Sequence, residues 1–292
     1  MKILVPLDGS DNAFNAFRSA CNIAVKTDSY ITAFYVNKGE VYTPEETGWI
    51  SLKDKISDEL EILGHEVIRK AYAIGRDSGT SVEGIISCGI PAEEILKYIG
   101  AHGIIKLITM GHSSKGKGAQ EFVESTTKNV VSQSKTPVFV TSSVINIRSI
   151  LIAVDNSDAS KKAVLFGGEF AKSLEADISV ISVIPDAEEI INEYKKIAEV
   201  PNIERHIKDL ENTLTEKAEQ AVFTAKDTLT SMNIKPLSAI IKKGQPADEV
   251  ISEAGHYDLI IIGKKGSPFQ KKLSRIANKL LDSHSINTIF VQ

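Results

Sequence analysis

Lys2 to Phe17 reads KILVPLDGSDNAFNAF, and Ser149 to Val164 reads SILIAVDNSDASKKAV. Each is a short apolar run closed by Asp, a small residue and Ser, followed by a helical pattern. Asp8 answers to Asp155 and Ser10 to Ser157. The likeness continues outward. CGIPAEEILKYI from Cys88 returns as KGQPADEVISEA from Lys243, and KLITMGHSS from Lys106 returns as DLIIIGKKG from Asp258. TPVFV at Thr136 to Val140 returns as NTIFV at Asn287 to Val291. Asp8, Pro91 and Gly111 lie 147, 155 and 152 residues before their counterparts. Four segments in one order at a nearly constant offset mark an internal duplication. The expected domains are residues 1–143 and 147–292, joined by a short polar stretch near Ser142 to Ile147.

Each half alternates strand and helix signals. In the first, strands are expected near 2–7, 30–36, 81–87, 105–110 and 137–141, as short runs rich in Ile and Val that suit burial on both faces. Phe14, Phe17, Cys21, Ala24 and Val25 make one helical face; Leu52, Ile56, Leu60, Leu63 and Val67 make another. In the second half, Ile203, Ile207, Leu210, Leu214, Ala218 and Val222 line a long middle helix. Phe269, Leu273, Ile276, Ala277, Leu280 and Leu281 line the last one. Strand–helix–strand order with right-handed crossovers predicts an α/β protein of two repeated, doubly wound, five-stranded parallel-sheet domains. Such sheets bind ligands beyond the carboxyl ends of their strands, at the switch point.

The bulk properties agree. A chain of 292 residues with 42% hydrophobic and 25% charged residues is of ordinary globular composition. A net charge of −4 gives no strong pull toward nucleic acid or a basic surface for membranes. No apolar run approaches the ~20 residues of a membrane helix. The opening MKILVPLDGS is too short in apolar length for a signal peptide. Cys21 and Cys88 have no metal or redox spacing, which suits a reducing compartment. The expected location is the cytoplasm.

Candidate site residues stand at the strand ends. Asp8 closes the first strand and Ser10 opens the first helix, where either residue serves equally as a helix cap. Gly111 follows the fourth strand and leads into HSSKGKGAQEFVEST, a loop of small and basic residues that can present N–H groups and a helix N-terminus to phosphate. A plain surface loop has the same composition. In the second half, Gly263 and Gly266 bracket Lys264 and Lys265. Lys271, Lys272 and Arg275 follow, and read as a phosphate-holding cluster or a solvated helix face. His112 beside the first loop reads as polar surface.

The strand ending in Asp-x-Ser, the Gly-x-Pro-Ala segment and the Gly-rich loop after strand four together resemble the universal stress protein family, over nearly the whole chain, twice. The resemblance implies a tandem member with the five-stranded, adenine nucleotide α-hydrolase-like fold. It also implies a regulatory or binding role. Some members bind ATP through Gly-x-x-Gly, nine residues, then Gly-Ser/Thr; others lack the pattern and bind no nucleotide. Carried over, Pro6, Asp8, Ser10 and Val36 match the adenosine end of the first half, and Gly111, Ser114, Ser125 and Thr126 stand along its phosphate end. Ser114 and Glu124 replace glycines. A glutamate ~4 Å from a phosphate charge at an effective dielectric of ~20 repels it by about 4 kcal/mol. That is about half of a micromolar affinity of ~8 kcal/mol. In the second half Asp155, Ser157 and Val183 match the adenosine end, and Gly263, Lys264, Lys265 and Gly266 the phosphate end. Nine residues beyond Gly266, Ile276 and Ala277 stand in place of Gly-Ser, so the hydroxyl is expected to be lost and Ile276 to serve as core.

The expected ligand is therefore ATP or another adenine nucleotide in one half, with magnesium if bound. The alternative is a nucleotide-independent scaffold for a protein partner. A slow ATPase is the weaker alternative, since no general base or nucleophile stands out. The chain has no G-x-x-x-x-G-K-[ST], G-x-S-x-G or H-E-x-x-H, nor the S-G-G-x-D-S or H-I-G-H of substrate-activating relatives of the fold. No metal site and no nucleic-acid or membrane partner is expected.

Single-domain family members resemble dimers joined through their last strands. Here Thr136 to Thr141 and Asn287 to Gln292 are expected to pair within one chain as an internal pseudo-dimer, covering two edges; two chains can pair further as a homodimer. Lys38 to Ser51 and Pro185 to Glu204, which contain Tyr42, Trp49 and Tyr194, are expected to be variable loops at the crevice edge.

Overall fold

A computed structural model describes residues 2–38, 50–112, 125–195, 203–264 and 273–292, with the backbone alone at 50–58, 193–195 and 203. The chain divides into two compact units, Met1–Asn146 and Ile147–Gln292.

The first unit runs β1 (Lys2–Leu7), α1 (Asp11–Lys26), β2 (Tyr30–Asn37), α2 (Ile50–Asp77), β3 (Val82–Cys88), α3 (Pro91–Ala101), β4 (Ile105–Gly111), α4 (Thr126–Gln133), β5 (Val138–Thr141). Its strands lie parallel in the order β3-β2-β1-β4-β5. The second unit runs β6 (Ser149–Ala153), α5 (Asp158–Leu174), β7 (Asp177–Ile184), α6 (Ala187–Lys195), α7 (Ile203–Ser231), β8 (Ser238–Lys243), α8 (Pro246–Ala254), β9 (Leu259–Gly263), α9 (Arg275–Asp282), β10 (Thr288–Val291). It repeats the plan in the order β8-β7-β6-β9-β10, again parallel. The doubly wound α/β class expected from the repeat is the observed one.

The sheets are built from the apolar runs. Ile3, Leu4 and Val5 of β1 and Ile150, Leu151 and Ile152 of β6 are fully buried, as parallel strands covered on both faces must be. In each unit the chain winds outward from the central strand and returns to its other side, so the switch point lies between β1 and β4, and between β6 and β9.

The two switch points differ in one respect. Pairing of β6 with β9 continues to Ala153↔Ile262, whereas pairing of β1 with β4 ends at Leu4↔Ile108. The residue equivalent to Ala153 is Pro6, which has no N–H to donate to the neighbouring strand. The pairing of β1 with β4 therefore stops two residues earlier than that of β6 with β9.

After each central strand comes the same turn. Gly9 has φ +87° and its counterpart Asn156 has φ +64°, a left-handed backbone that glycine and asparagine accept most readily. Asp8 Oδ1 accepts from the Ser10 amide at 3.0 Å and Asp155 Oδ1 from the Ser157 amide at 3.1 Å. Ser10 and Ser157 then cap α1 and α5 by accepting from Ala13 N and Ser160 N, each at 3.2 Å.

On α1, side chains of Asn15, Ser19 and Asn22 reach the carbonyls of Ser142, Ser143 and Ile145, so one polar face of this helix fastens the chain that leaves β5.

Three expectations are corrected here. Val25 is 58% exposed and Leu63 42% exposed; the buried stripe of α2 is Gly64, Val67, Ile68 and Ala71, because a 3.6-residue period carries Leu63 round to the side. Pro185 to Glu204 is not all loop: it contains α6 and the start of α7. Asp186 Oδ1 accepts from Glu188 N at 2.9 Å and so caps α6. Tyr42, Trp49 and Phe269 lie outside the described residues.

Candidate functional site

Each crevice is a cleft lined from the strand ends and first helical turns. The first, of about 180 Å³, has Pro6, Asp8 and Ser10 at the tip of β1 and Phe34, Val36 and Lys38 at the end of β2. Ile95 of α3, with Met110, Gly111 and His112 at the end of β4, and Thr126 and Thr127 of α4, close it. The second, of about 270 Å³, is its counterpart. Ala153, Asp155, Ile181, Val183 and Pro185 stand where Pro6, Asp8, Phe34, Val36 and Lys38 stand. Val250, Ile262, Gly263 and Ile276 replace Ile95, Met110, Gly111 and Thr127.

Of the residues expected in the first site, Pro6, Asp8, Ser10, Val36, Gly111 and Thr126 converge on this cleft. Ser125 is just behind it as the cap of α4, accepting from Lys128 N at 3.1 Å. Ser114 and Glu124 lie outside the described residues. Of those expected in the second, Asp155, Val183 and Gly263 line the cleft. Ser157 does not; its hydroxyl donates to Asp155 Oδ1 at 2.6 Å and caps α5. Lys264 is fully buried and is not among the lining residues either. Lys265, Gly266, Lys271 and Lys272 lie outside the described residues, and Arg275 is exposed on α9.

Gly111 and Gly263 have a packing reason. A Cβ on Gly111 would lie 2.7 Å from Asn12 C and 2.8 Å from Ala13 N; one on Gly263 would lie 2.7 Å from Ala159 C and 2.9 Å from Ser160 N. The end of the fourth strand touches the first turn of the first helix in both units, which leaves room only for glycine.

Spacing misassigned the hydroxyl of the second half. Ser274, not position 277, caps α9, accepting from Ala277 N at 3.1 Å, as Ser125 caps α4. Ser274 N donates to Lys264 O at 2.9 Å, and Ser274 lines the cleft. The segment from Gly263 to the cap is three residues shorter than that from Gly111, so a count of nine overshoots. Leu-Ser before Arg-Ile-Ala-Asn was a helix-start signal that could have found it. Ile276, expected in the core, is only half-buried and lines the cleft. Its counterpart Thr127 donates from Oγ1 to Gly111 O at 3.1 Å, a tie that isoleucine cannot make.

Lys38 and His112 are residues that sequence reasoning did not place in the site. Lys38 is exposed at the mouth, directly after β2. His112 is 4% exposed rather than at the surface; its carbonyl accepts from Asn12 Nδ2 at 3.0 Å and its amide donates to Thr141 O at 3.1 Å. Burial, reinforced by the nearby charge of Asp8, holds the Tyr35 phenol above its usual pKa. Among the described residues no cluster of His, Cys, Asp and Glu could hold a metal ion, and no helix is long and apolar enough to cross a membrane.

Two copies of a doubly wound sheet, each with a crevice at its switch point, define a tandem α/β protein. The family model of universal stress proteins matches residues 1–142 and again residues 146–292, and the chain belongs to the universal stress protein family. One half is 28% identical over 141 residues to Universal stress protein MJ0531 of Methanocaldococcus jannaschii, spanning 48% of this chain and 80% of that one. Over 146 residues there is 30% identity to Universal stress protein YxiE of Bacillus subtilis, spanning 48% and 97%. The fold is similar to that of a universal stress protein from Archaeoglobus fulgidus, with a TM-score of 0.72 at 16% identity over 100% of this chain and 98% of that one.

Proposed function

We propose that this universal stress protein is a binding and regulatory protein whose first half holds ATP or a related adenine nucleotide. The observation that carries the reading is the lining of the first cleft, where an apolar interior is joined to a polar mouth. Phe34, Ile95 and Met110 offer walls for a flat base. Asp8 offers acceptors for ribose hydroxyls. Lys38 and the N-terminal turn of α4, at Thr126 and Thr127, offer positive charge and N–H groups for phosphate. A cleft of about 180 Å³ suits base and ribose, with phosphates toward the open mouth. Magnesium would enter with the nucleotide.

Isothermal titration with ATP, with and without magnesium, tests this. The expected result is saturable binding of one ATP per chain, weakened about 5-fold to 10-fold in Lys38→Ala through loss of a charge-assisted contact. No binding at millimolar ATP would leave a partner-binding scaffold as the function.

A further inference from the structure

We propose that the second cleft binds a different class of ligand from the first: a compact, uncharged, mainly apolar molecule carrying a hydrogen-bond donor.

Position by position, the two copies differ along their clefts. At the mouth, Lys38 is replaced by Pro185. At the helix that faces the phosphate end, Thr127 is replaced by Ile276. The walls Phe34 and Met110 become Ile181 and Ile262. His112, which lines the first cleft, corresponds to Lys264, which is fully buried and is not among the described residues that line the second. Among the described residues, Asp155 is the one ionisable group that lines the second cleft, and it is an anion. Apart from it, the described side chains that offer polarity are Ser160 and Ser274. Ser274 is engaged as the α9 cap and Ser160 Oγ accepts from Asp155 N at 3.2 Å.

Among the described residues, an anionic ligand placed here would meet a carboxylate and apolar walls, with proline in place of Lys38. Desolvating phosphate against such a lining is unfavourable. An apolar body, by contrast, gains from leaving water. The carboxylate of Asp155 at the rim accepts from a donor on that ligand. The volume, about 270 Å³ against about 180 Å³ for the first, leaves room for a two-ring molecule. The inference does not depend on the first half binding nucleotide.

The probe is 2-naphthol, neutral at pH 7, fluorescent, and carrying one hydroxyl. The expected result is saturable binding of one molecule per chain with a Kd on the order of 100 μM, unaffected by millimolar ATP. Val183→Phe, which fills the second cleft, abolishes it; Val36→Phe, which fills the first, leaves it unchanged. Ile276→Thr, a milder change that restores the residue of the first copy, weakens it several-fold while circular dichroism stays that of the wild type. Failure to saturate, displacement by ATP, or loss in Val36→Phe with retention in Val183→Phe would each overturn the proposal. The ATP titration of the wild type reads the nucleotide site separately, so failure of one reading is distinguishable from failure of the other.

Discussion

Gly111 stands against Asn12 so closely that an added Cβ would lie 2.7 Å from the Asn12 carbonyl carbon. The contact joins the end of β4 to the first turn of α1, and it sets the floor of the first cleft. Both neighbours are backbone, so neither can swing aside. Gly111→Ala is expected to cost about 1–3 kcal/mol, the usual penalty for overpacking. Thermal unfolding checks it; Gly100→Ala, where nothing lies within 4 Å of the added Cβ, is the control and should be far milder.

Thr109 is fully buried in β4, and among the described residues its hydroxyl has no hydrogen-bond partner. A buried unsatisfied hydroxyl carries a desolvation cost. The matching position in the second copy is Ile261, also fully buried. Thr109→Val should therefore raise stability by about 1 kcal/mol, read as a higher urea midpoint at unchanged slope.

Lys2 and Glu83 form an ion pair at 2.7 Å, with side chains 10% and 58% exposed. Burial opposes the charge on Lys2 most strongly of any single influence, but the Glu83 hydrogen bond together with the charges and hydrogen bonding of Tyr98 and Glu83 outweighs it and leaves the lysine pKa raised. The same bond, against some burial, holds Glu83 below its ordinary value. A carboxylate with a lowered folded pKa stabilises above its unfolded value of ~4.3 and loses that contribution as pH falls through the folded value. A lysine with a raised pKa stabilises fully below its unfolded value of ~10.4 and loses it as pH rises through the folded one. Glu83→Gln should cost about 1–2 kcal/mol at pH 7, after allowance for the exposure of Glu83. The difference from wild type should shrink once pH falls below the ordinary glutamate range. Urea unfolding of both proteins at pH 7 and pH 3 measures it.

Much of this was legible in the sequence because the molecule states its plan twice. Asp8 and Asp155 were marked by the turn they close, and Gly111 and Gly263 by the strand they follow. Strand ends are defined by short-range chemistry, so the residues there fall where the pattern puts them. The cap Ser274 was not legible from spacing, since the loop before it is three residues shorter than its counterpart and a fixed count carries no knowledge of loop length. Lys38 was missed because nothing in its immediate neighbours marks it; only the parallel run of β2 beside β1 brings it to the mouth. Leu63 was placed inside because an apolar residue at helical spacing looks buried. Its neighbour Gly64 is the residue that meets the sheet, where a Cβ would lie 3.0 Å from the Tyr35 ring.

The central claim is that the two copies have parted in function, the first keeping the nucleotide. The most direct test is ATP titration of Asp8→Ala beside Asp155→Ala. These carboxylates hold equivalent turns, through Ser10 N at 3.0 Å and Ser157 N at 3.1 Å, so a merely structural effect would be alike in both. The prediction is that Asp8→Ala abolishes the single ATP site while Asp155→Ala binds as the wild type does. ATP binding that survives Asp8→Ala and disappears in Asp155→Ala would contradict it.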